Sequence, residues 1–376
     1  MEKKIGLITF HDTANHGAAL QNFATLFVLN KMGYKSEAIN YTNDLRSSLY
    51  NLPKKIKSDL SAKKYSDVIK AVIAAPLILN RMANFNKFYE QFTPRSELSY
   101  NNTSDLSSIE NNYDHIIIGS DQVWSTTNNG SDGTYYLNFV TDKSKTISYA
   151  SSFGTTCIDD TSVTEFASDL SKIKHISVRE KTGKAIFEKL TGRVPAVVLD
   201  PVFLLSDLEW IEVIKSKYEC NKMLNDRFVD YTANKSYLKA FFKVKGTEKF
   251  KNNCYKFGTA LGIRDVFDTN VHLKFACDPI DFMYSLYNSS LIFTSSFHGV
   301  VLSIIFKKKF IVVLSGNVGR DSRIIDLLSS LGLSERIFSE NMIINEIDQD
   351  INYDEVHSRL NTLRNDSLKF LENSLN

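Results

Sequence analysis

Residues 113–124 read YDHIIIGSDQVW, and this stretch indicates the class of fold. An apolar strand at 115–118 ends directly in a polar turn. Uninterrupted apolar strands are typical of parallel sheets that are covered by helices. In an open sheet of that kind, polar residues at the carboxyl end of a strand face the ligand crevice. We therefore expect Ser120, Asp121 and Gln122 to lie at a binding site.

Strand and helix patterns alternate on both sides of this stretch, which predicts a parallel α/β sheet. The series ends at Asp200-Pro201, because proline disfavours a helical conformation at the residue before it. The predicted strands are 5–10, 36–41, 115–118, 146–150, 175–178 and 196–199, and the predicted helices are 17–32, 163–170 and 183–190.

A second alternation follows Pro201, and residues 219–235 show no clear period. The predicted strands are 238–244, 265–268, 291–294 and 310–314, and the predicted helices are 206–217, 247–261, 279–287, 299–306, 322–331 and 353–371. We predict an α/β fold with two Rossmann-like domains that face a cleft. The domains are residues 1–200, with a basic helical insertion at about 46–95, and residues 201–376, with a C-terminal helix.

The composition excludes several classes of protein. Of 376 residues, 45 are Lys or Arg and 43 are Asp or Glu, and this near balance argues against a protein that coats nucleic acid. A hydrophobic content of 43% argues against disorder. The four cysteines form no CxxC pair, which favours reduced thiols in a cytoplasmic protein. We find no signal-peptide core and no run of about 18 apolar residues that could span a membrane.

Residues 46–87 carry a local excess of positive charge, with nine Lys or Arg against two Asp. An apolar run, 71–79, lies inside this basic segment. One interpretation is a solvated helical insertion that packs one face on its own domain. The other is a peripheral contact with an anionic membrane surface or with a lipid-linked phosphate substrate, which would place the protein at the inner face of the membrane.

Three further turns carry candidate ligand contacts. Asn15 and Gly17 lie between the first strand and the first helix, where a helix N-terminus can bind an anion. The turn is not GxGxxG, so NAD is not indicated. Arg179 follows a short strand and either captures a carboxylate or phosphate or pairs with Glu180 or Asp200. For Asp121 the structural alternative is a helix N-cap, and Trp124 offers an apolar face to a sugar unless it lies in the core.

Residues 291–299 form the strongest segment, because a strand ends in hydroxyls and is followed by His298 at a helix N-terminus. A histidine in this position can bind anions or move protons near neutral pH. Ser296 belongs to the same turn. Downstream, Arg320 and Arg323 precede or begin another helix and can add positive charge to the cleft.

Six of these segments together resemble the polysaccharide pyruvyl transferase family, and they occur in the family's order. They are residues 15–21, 113–124, 148–154, 177–180, 199–201 and 296–299. The resemblance implies a GT-B-like pair of Rossmann domains, with the acceptor side in the first and the donor side in the second. It also implies transfer of pyruvate from phosphoenolpyruvate to a sugar as a ketal. The acceptor would be a cell-surface polysaccharide or its lipid-linked oligosaccharide precursor.

By this resemblance the site residues are Asp121, Arg179 and His298, phosphoenolpyruvate is the donor substrate, and no further cofactor is implied. His298 would protonate the enol carbon, and Asp121 would accept a proton from the sugar hydroxyl or orient it. The chain departs from the family where some members have Arg-Leu-His and it has Ser-Phe-His at 296–298. Arg320 or Arg323 would then replace the missing arginine.

Two other functions fit the same sequence. A GT-B glycosyltransferase would use the cleft arginines to hold the diphosphate of a nucleotide sugar. A catalytically degenerate family member would only bind glycan or an assembly partner. The sequence shows no cluster with metal-ligand spacing, so we expect no metal site.

Overall fold

The structure is a computed structural model that describes residues 3–43, 45, 52–130, 132–156, 164–220, 227–232, 234–258 and 271–376. Within these residues, twelve strands form two sheets, and every strand pair is parallel. The seven-stranded sheet has the order β3-β2-β1-β4-β5-β6-β7, and the five-stranded sheet has the order β10-β9-β8-β11-β12. The predicted α/β class is therefore confirmed.

The sheets define two units, which we call the N-terminal unit and the C-terminal unit. The N-terminal strands are β1 (Lys4–Ile8), β2 (Lys35–Tyr41), β3 (Arg95–Tyr100), β4 (His115–Ile118), β5 (Thr146–Ser151), β6 (His175–Val178) and β7 (Ala196–Val197). The C-terminal strands are β8 (Arg227–Tyr231), β9 (Cys254–Lys256), β10 (Val271–Leu273), β11 (Ser289–Thr294) and β12 (Phe310–Val312). The predicted boundary near Pro201 falls between the last strand of one sheet and the first strand of the other.

Helices cover both sheets. They are α1 (His16–Lys31), α2 (Leu52–Ser61), α3 (Tyr65–Phe92), α4 (Thr103–Leu106), α5 (Thr126–Asn129), α6 (Ala167–Lys172), α7 (Lys181–Thr191), α8 (Asp207–Lys215), α9 (Lys235–Phe241), α10 (Pro279–Tyr287), α11 (Phe297–Ile305), α12 (Val318–Leu331), α13 (Ile344–Ile347) and α14 (Tyr353–Leu375). None of the helices in the described ranges is long and apolar enough to cross a membrane.

The central strands are apolar because helices pack on both faces of the sheet. In β4, the side chains of Ile116, Ile117 and Ile118 are completely buried. Ile117 belongs to the larger core cluster, whereas Ile116 and Ile118 belong to a second cluster on the other face. This alternation of faces explains why the three isoleucines of β4 are all apolar, since each face of the strand meets a core cluster.

The start of the second α/β series differs from the sequence prediction. The predicted strand 238–244 is wrong, because residues 235–241 form helix α9, whose N-cap Asn234 accepts a hydrogen bond from the amide of Ser236. The predicted helix 247–261 is also wrong at 254–256, which form β9. Strand β8 lies in the segment that shows no period, and β3 was not predicted. The predicted edge strand 265–268 lies outside the described residues.

These errors have a common physical reason. Phe241 packs against Phe228 of β8 and Phe293 of β11, with ring centroids 5.1 and 4.8 Å apart. A short run of apolar and aromatic residues can bury itself either as a strand or as one side of a helix, so periodicity alone does not separate the two.

The last helix, α14, contacts both units. Ser367 accepts a hydrogen bond from the amide of Leu199 in the N-terminal unit, at 2.9 Å. Near the start of the same helix, the ring of His357 lies 2.9 Å from the carbonyl oxygen of Ile304 in α11. The helix therefore ties the end of the chain to the N-terminal unit.

Candidate active site

A cavity of about 400 Å³ lies between the two units, at the carboxyl ends of their strands. This is the position at which open α/β sheets bind ligands. Its lining residues come from the ends of β1, β4, β8, β9 and β11 and the residues that follow them, from α5, and from the first two turns of α11 and α12. They are Phe10, Ala14, Asn15, Asp121, Gln122, Asn128, Tyr231, Thr232, Phe257, Ser295, Ser296, Phe297, His298, Arg320, Arg323 and Ile324.

His298 lies in the first turn of α11, where the helix N-terminus is closed by Ser296, whose hydroxyl accepts a hydrogen bond from the amide of Gly299. The imidazole is 7% exposed and reaches across the cleft to α1 of the other unit. At Gly17 a side chain would collide with this ring, because a Cβ there would stand 2.0 Å from Nδ1 of His298. Gly17 therefore acts by leaving room for the histidine.

A buried carboxylate, Asp200, lies behind His298. Its Oδ2 atom is 3.5 Å from Nε2 of His298 and 2.9 Å from Nη1 of Arg179. The hydroxyl of Ser120 donates to the same oxygen at 2.9 Å, and the amide of Val202 donates to Oδ1 at 3.1 Å. Burial alone would raise the pKa of Asp200, but His298 and Arg179 outweigh this effect and lower the pKa below its ordinary value. The carboxylate is therefore charged and available to orient the histidine.

Asp200 is not among the site residues predicted from the sequence. Two observations in the sequence pointed to it. The segment 199–201 resembles the family, and Asp200 was one of the two carboxylates expected to pair with Arg179. An aspartate before a proline is also common at the start of a helical turn, and Asp200 caps such a turn here. Its distance from His298 depends on how the two units pack, and periodicity holds no information about that packing.

Arg179 pairs with Asp200 and Glu180, which was the alternative to direct capture of an anion in the sequence prediction. Besides the contact with Asp200, its guanidinium is 3.6 Å from Glu180 and 3.8 Å from Asp121. Burial by itself lowers the pKa of Arg179, but these carboxylates raise it above the ordinary value. Its side chain is 2% exposed, and it does not line the cleft cavity. Direct capture of an anion by Arg179 stays a prediction.

The two cavity arginines of α12 differ in their surroundings. Arg320 is exposed, whereas Arg323 is partly buried and lies over the ring of Phe297 at 5.8 Å. Arg179 lies over the same ring at 4.6 Å. Burial and the neighbouring charge of Arg179 lower the pKa of Arg323 to about 10. Gly319 lets the first turn of α12 approach the N-terminal unit, since a Cβ there would stand 2.5 Å from the carbonyl oxygen of Gly154.

Asp121 lines the cavity and adopts an unusual backbone conformation. Its φ of 79° lies in the left-handed region, which residues other than glycine rarely occupy. Its Oδ1 accepts a hydrogen bond from the amide of Gln122 at 2.9 Å. Ala150, at the neighbouring strand β5, also has a positive φ of 53°. Such conformations are concentrated at functional sites, where the surrounding structure holds them in place.

The remaining predicted site residues divide into two groups. Asn15, Gln122 and Ser296 line the cavity together with the residues described above. Ser120 is fully buried and contacts Asp200 instead of the cavity. Trp124 is also fully buried, and its indole nitrogen donates to the carbonyl oxygen of Tyr135 at 2.9 Å. The structure thus corrects the placement of Ser120 and Trp124, which are not exposed to a ligand in this cavity.

Comparison with known proteins identifies the family. The model of the polysaccharide pyruvyl transferase family matches residues 15–317. The chain belongs to this family. The match covers most of both units, and the cavity residues outside it are Phe10, Ala14, Arg320, Arg323 and Ile324. No curated protein sequence matches this pyruvyl transferase family member at a significant level.

Solved structures confirm the GT-B-like fold of this family member. A UDP-GlcNAc 2-epimerase from Neisseria meningitidis, bound to UDP-GlcNAc, has a TM-score of 0.53 at 9% identity and covers 100% of this chain and 99% of its own. Anabaena Alr3699/HepE, in complex with UDP, has a TM-score of 0.50 at 8% identity, with coverage of 99% and 100%. At such low identity the likeness shows the fold alone.

The structure also locates the position at which this chain departs from the family pattern. Ser296, at which the sequence comparison above predicts a departure from the family's Arg-Leu-His pattern, is the N-cap of α11 and lines the cavity, and Arg320 and Arg323 line the same cavity from α12. Tyr231, the last residue of β8, and Thr232, which follows it, also line the cavity. Neither was predicted, because the segment that contains β8 shows no periodicity in the sequence. Among the described residues, no group of three or more His, Cys, Asp or Glu could hold a metal ion.

Proposed function

We propose that this protein transfers pyruvate from phosphoenolpyruvate to a sugar, in which the pyruvate becomes a cyclic ketal. The observation that carries the proposal is the cleft cavity, in which His298, Arg320 and Arg323 of the C-terminal unit face Asp121 of the N-terminal unit. A family member with anion-binding groups on one side and a carboxylate on the other can hold an anionic donor and a hydroxylated acceptor together.

The positive charges suit the donor, because phosphoenolpyruvate carries a carboxylate and a phosphate. Arg323 is the stronger candidate for the arginine that replaces the one absent at position 296. Its Nε atom is buried and has no hydrogen-bond partner, and burial together with the neighbouring charge of Arg179 lowers the pKa of its guanidinium. A bound anion would accept a hydrogen bond from Nε and would balance the charge of the guanidinium. Arg320, on the first turn of the same helix, would contribute from the solvent side.

His298 is the candidate general acid. Protonation of C3 of phosphoenolpyruvate makes C2 electrophilic, and His298 would supply that proton. The carboxylate of Asp200, 3.5 Å from Nε2, would hold the imidazole in place, as a buried carboxylate does beside a catalytic histidine.

The proposed reaction balances with two hydroxyl groups of the acceptor. The first hydroxyl adds to C2 and loses its proton to Asp121, and the second hydroxyl adds to C2 as the C2–O bond to phosphate breaks. Two C–O bonds form and one breaks. Of the two hydroxyl protons released, one replaces the proton given to C3 and the other leaves with inorganic phosphate.

The acceptor proposed here is a polysaccharide or its lipid-linked precursor, as the family implies. The protein would then work at the inner face of the membrane, in peripheral contact through residues 46–87. The alternative donor is a nucleotide sugar, since the epimerase from Neisseria meningitidis and the Anabaena protein were solved with UDP-GlcNAc or UDP.

Titration calorimetry with phosphoenolpyruvate, UDP and GDP tests the donor directly. We expect phosphoenolpyruvate to bind the wild type and to bind Arg323→Ala at least tenfold more weakly, because a charged hydrogen bond contributes about 1.5–3 kcal/mol. Arg359→Ala is the matched control, since Arg359 is an exposed arginine paired with Glu355 on α14. Nucleotide binding without phosphoenolpyruvate binding would favour the glycosyltransferase.

Turnover separates the transferase from a degenerate member of the family. His298→Gln is expected to keep phosphoenolpyruvate binding and to lower phosphate release by about 10² to 10⁴. Donor binding without phosphate release in the wild type, on a panel of sugar acceptors, would favour the degenerate glycan-binding protein. Near-normal turnover in the His298 variant would remove this histidine from the mechanism.

A further inference from the structure

Helix α3 has two apolar faces, and only one of them packs against the protein. The packed face includes Ala71, Arg81, Phe85 and Tyr89, all at least 94% buried. Most surface helices carry a single apolar stripe that faces the core, with polar residues on the opposite side. A second apolar face on the outside of such a helix therefore calls for a partner.

The outer face consists of exposed apolar side chains at helical spacing. They are Tyr65, Ile69, Val72, Ile73 and Leu79, between 55% and 64% exposed, together with the exposed Pro76. At 3.6 residues per turn, these six positions fall within an arc of about 120°. In the described ranges, five of the fourteen exposed large apolar side chains lie on this one face of α3.

Positive charge lies at the N-terminal end of this face. Lys57 on α2 and the pair Lys63 and Lys64, in the turn that joins α2 to α3, are exposed. The two aspartates of the segment, Asp59 and Asp67, are half-buried. The segment 46–87 thus combines exposed apolar side chains with a net charge of +7 from nine basic and two acidic residues.

We propose that the outer face of α3, with the turn that joins it to α2, docks on the surface of an anionic lipid bilayer. The apolar side chains would enter the boundary between headgroups and acyl chains, and the lysines would contact anionic headgroups. A second copy of the chain fits less well. A symmetric dimer would place the same basic segment on both sides of the interface, and like charges oppose such contact.

The same helix leads to the cleft cavity. Near its other end, Arg81 donates from Nε and Nη2 to the carbonyl oxygen of Ala14, at 3.1 and 2.8 Å, and Ala14 lines the cavity. A bilayer under α3 would therefore lie against an element that borders the site. The use of this arrangement for a lipid-linked acceptor rests on the proposed function, whereas docking itself does not.

Vesicle co-sedimentation tests the docking without any substrate. We expect the wild type to sediment with vesicles of phosphatidylglycerol and phosphatidylcholine, to stay in solution with phosphatidylcholine alone, and to be released by high salt. Lys63→Gln/Lys64→Gln and Ile69→Ser/Ile73→Ser are each expected to lower the vesicle partition coefficient about tenfold or more. The matched controls are Lys189→Gln/Lys369→Gln and Val194→Ser/Leu208→Ser, at exposed positions elsewhere.

Two results would overturn the proposal. One is sedimentation that does not depend on phosphatidylglycerol or on the α3 variants. The other is a dimer that light scattering detects in the absence of vesicles and that the Ile69→Ser/Ile73→Ser variant does not form. Pyruvyl transfer is measured separately on a water-soluble acceptor, so vesicle binding by a protein that transfers no pyruvate would refute the proposed function and leave the docking surface supported.

Discussion

Asp200 is a positioning residue for His298 in the proposed reaction, and Asp200→Asn tests this role. The amide keeps the size of the side chain but removes the negative charge beside the imidazole. We expect the turnover number to fall on the order of 10²-fold, with a smaller change in phosphoenolpyruvate affinity. Adding Asp200→Asn to His298→Gln should cost nothing more, because residues that act as a unit are not additive. An unchanged turnover number in Asp200→Asn would contradict the role.

The same carboxylate makes a pH-dependent contribution to stability. The folded pKa of Asp200 is lowered, so its stabilisation is complete well above the unfolded value of about 3.9 and is lost as the pH falls below that value. At pH 7 we expect Asp200→Asn to reduce the free energy of unfolding by about 3 kcal/mol, because the variant breaks a buried ion pair. Urea unfolding of the wild type and the variant should show a smaller difference in unfolding free energy at pH 3 than at pH 7. An equal difference at pH 7 and pH 3 would mean that the charge of Asp200 does not contribute to stability.

At the scale of elements, the approach of α1 to α11 depends on the absence of a side chain at Gly17. Gly17→Ala should displace either the helix or His298, so we expect turnover to be lost while the circular dichroism spectrum is retained. Gly33→Ala, beyond the other end of α1, is the control. Gly33 has a φ of +88° and no neighbour near a Cβ, so its replacement should cost about 1 kcal/mol of stability without affecting turnover. Normal turnover in Gly17→Ala would show that α1 and His298 can move apart enough to accept a side chain without loss of function.

At the scale of the whole molecule, Arg81 connects the two units. Besides its bonds to Ala14, its Nη1 donates to the carbonyl oxygens of Gly258 and Phe275, at 3.3 and 2.5 Å, in the C-terminal unit. We expect Arg81→Gln to lower the free energy of unfolding by about 2–3 kcal/mol and to weaken phosphoenolpyruvate binding, because the cleft loses a link between its walls. Lys87→Gln, an exposed cation on the same helix, should change neither in denaturation and calorimetry. Equal effects of the two variants would rule out the link.

Local patterns in the sequence determined the α/β class, most strands, the α12 arginines and His298 as a cavity residue. These features follow from apolar runs, from turn residues and from the rule that strand ends face the crevice, all of which act over a few neighbouring residues. Family resemblance added the proposed chemistry. These patterns did not predict the structure of short segments such as 235–241. The side chains of such segments suit a helix and a strand equally, and contacts with distant residues decide between the two.

Only the tertiary structure decided which polar residues meet. Asp200 stands 98 residues before His298 in the chain, and their contact requires the N-terminal unit to pack against α11. Packing inside the N-terminal unit buries Trp124 and Ser120 and encloses Arg179 among carboxylates. The approach of α12 to that unit leaves Arg323 at the cavity. Such contacts depend on distances between elements that are far apart in sequence, and these distances are set by the packing of the whole core.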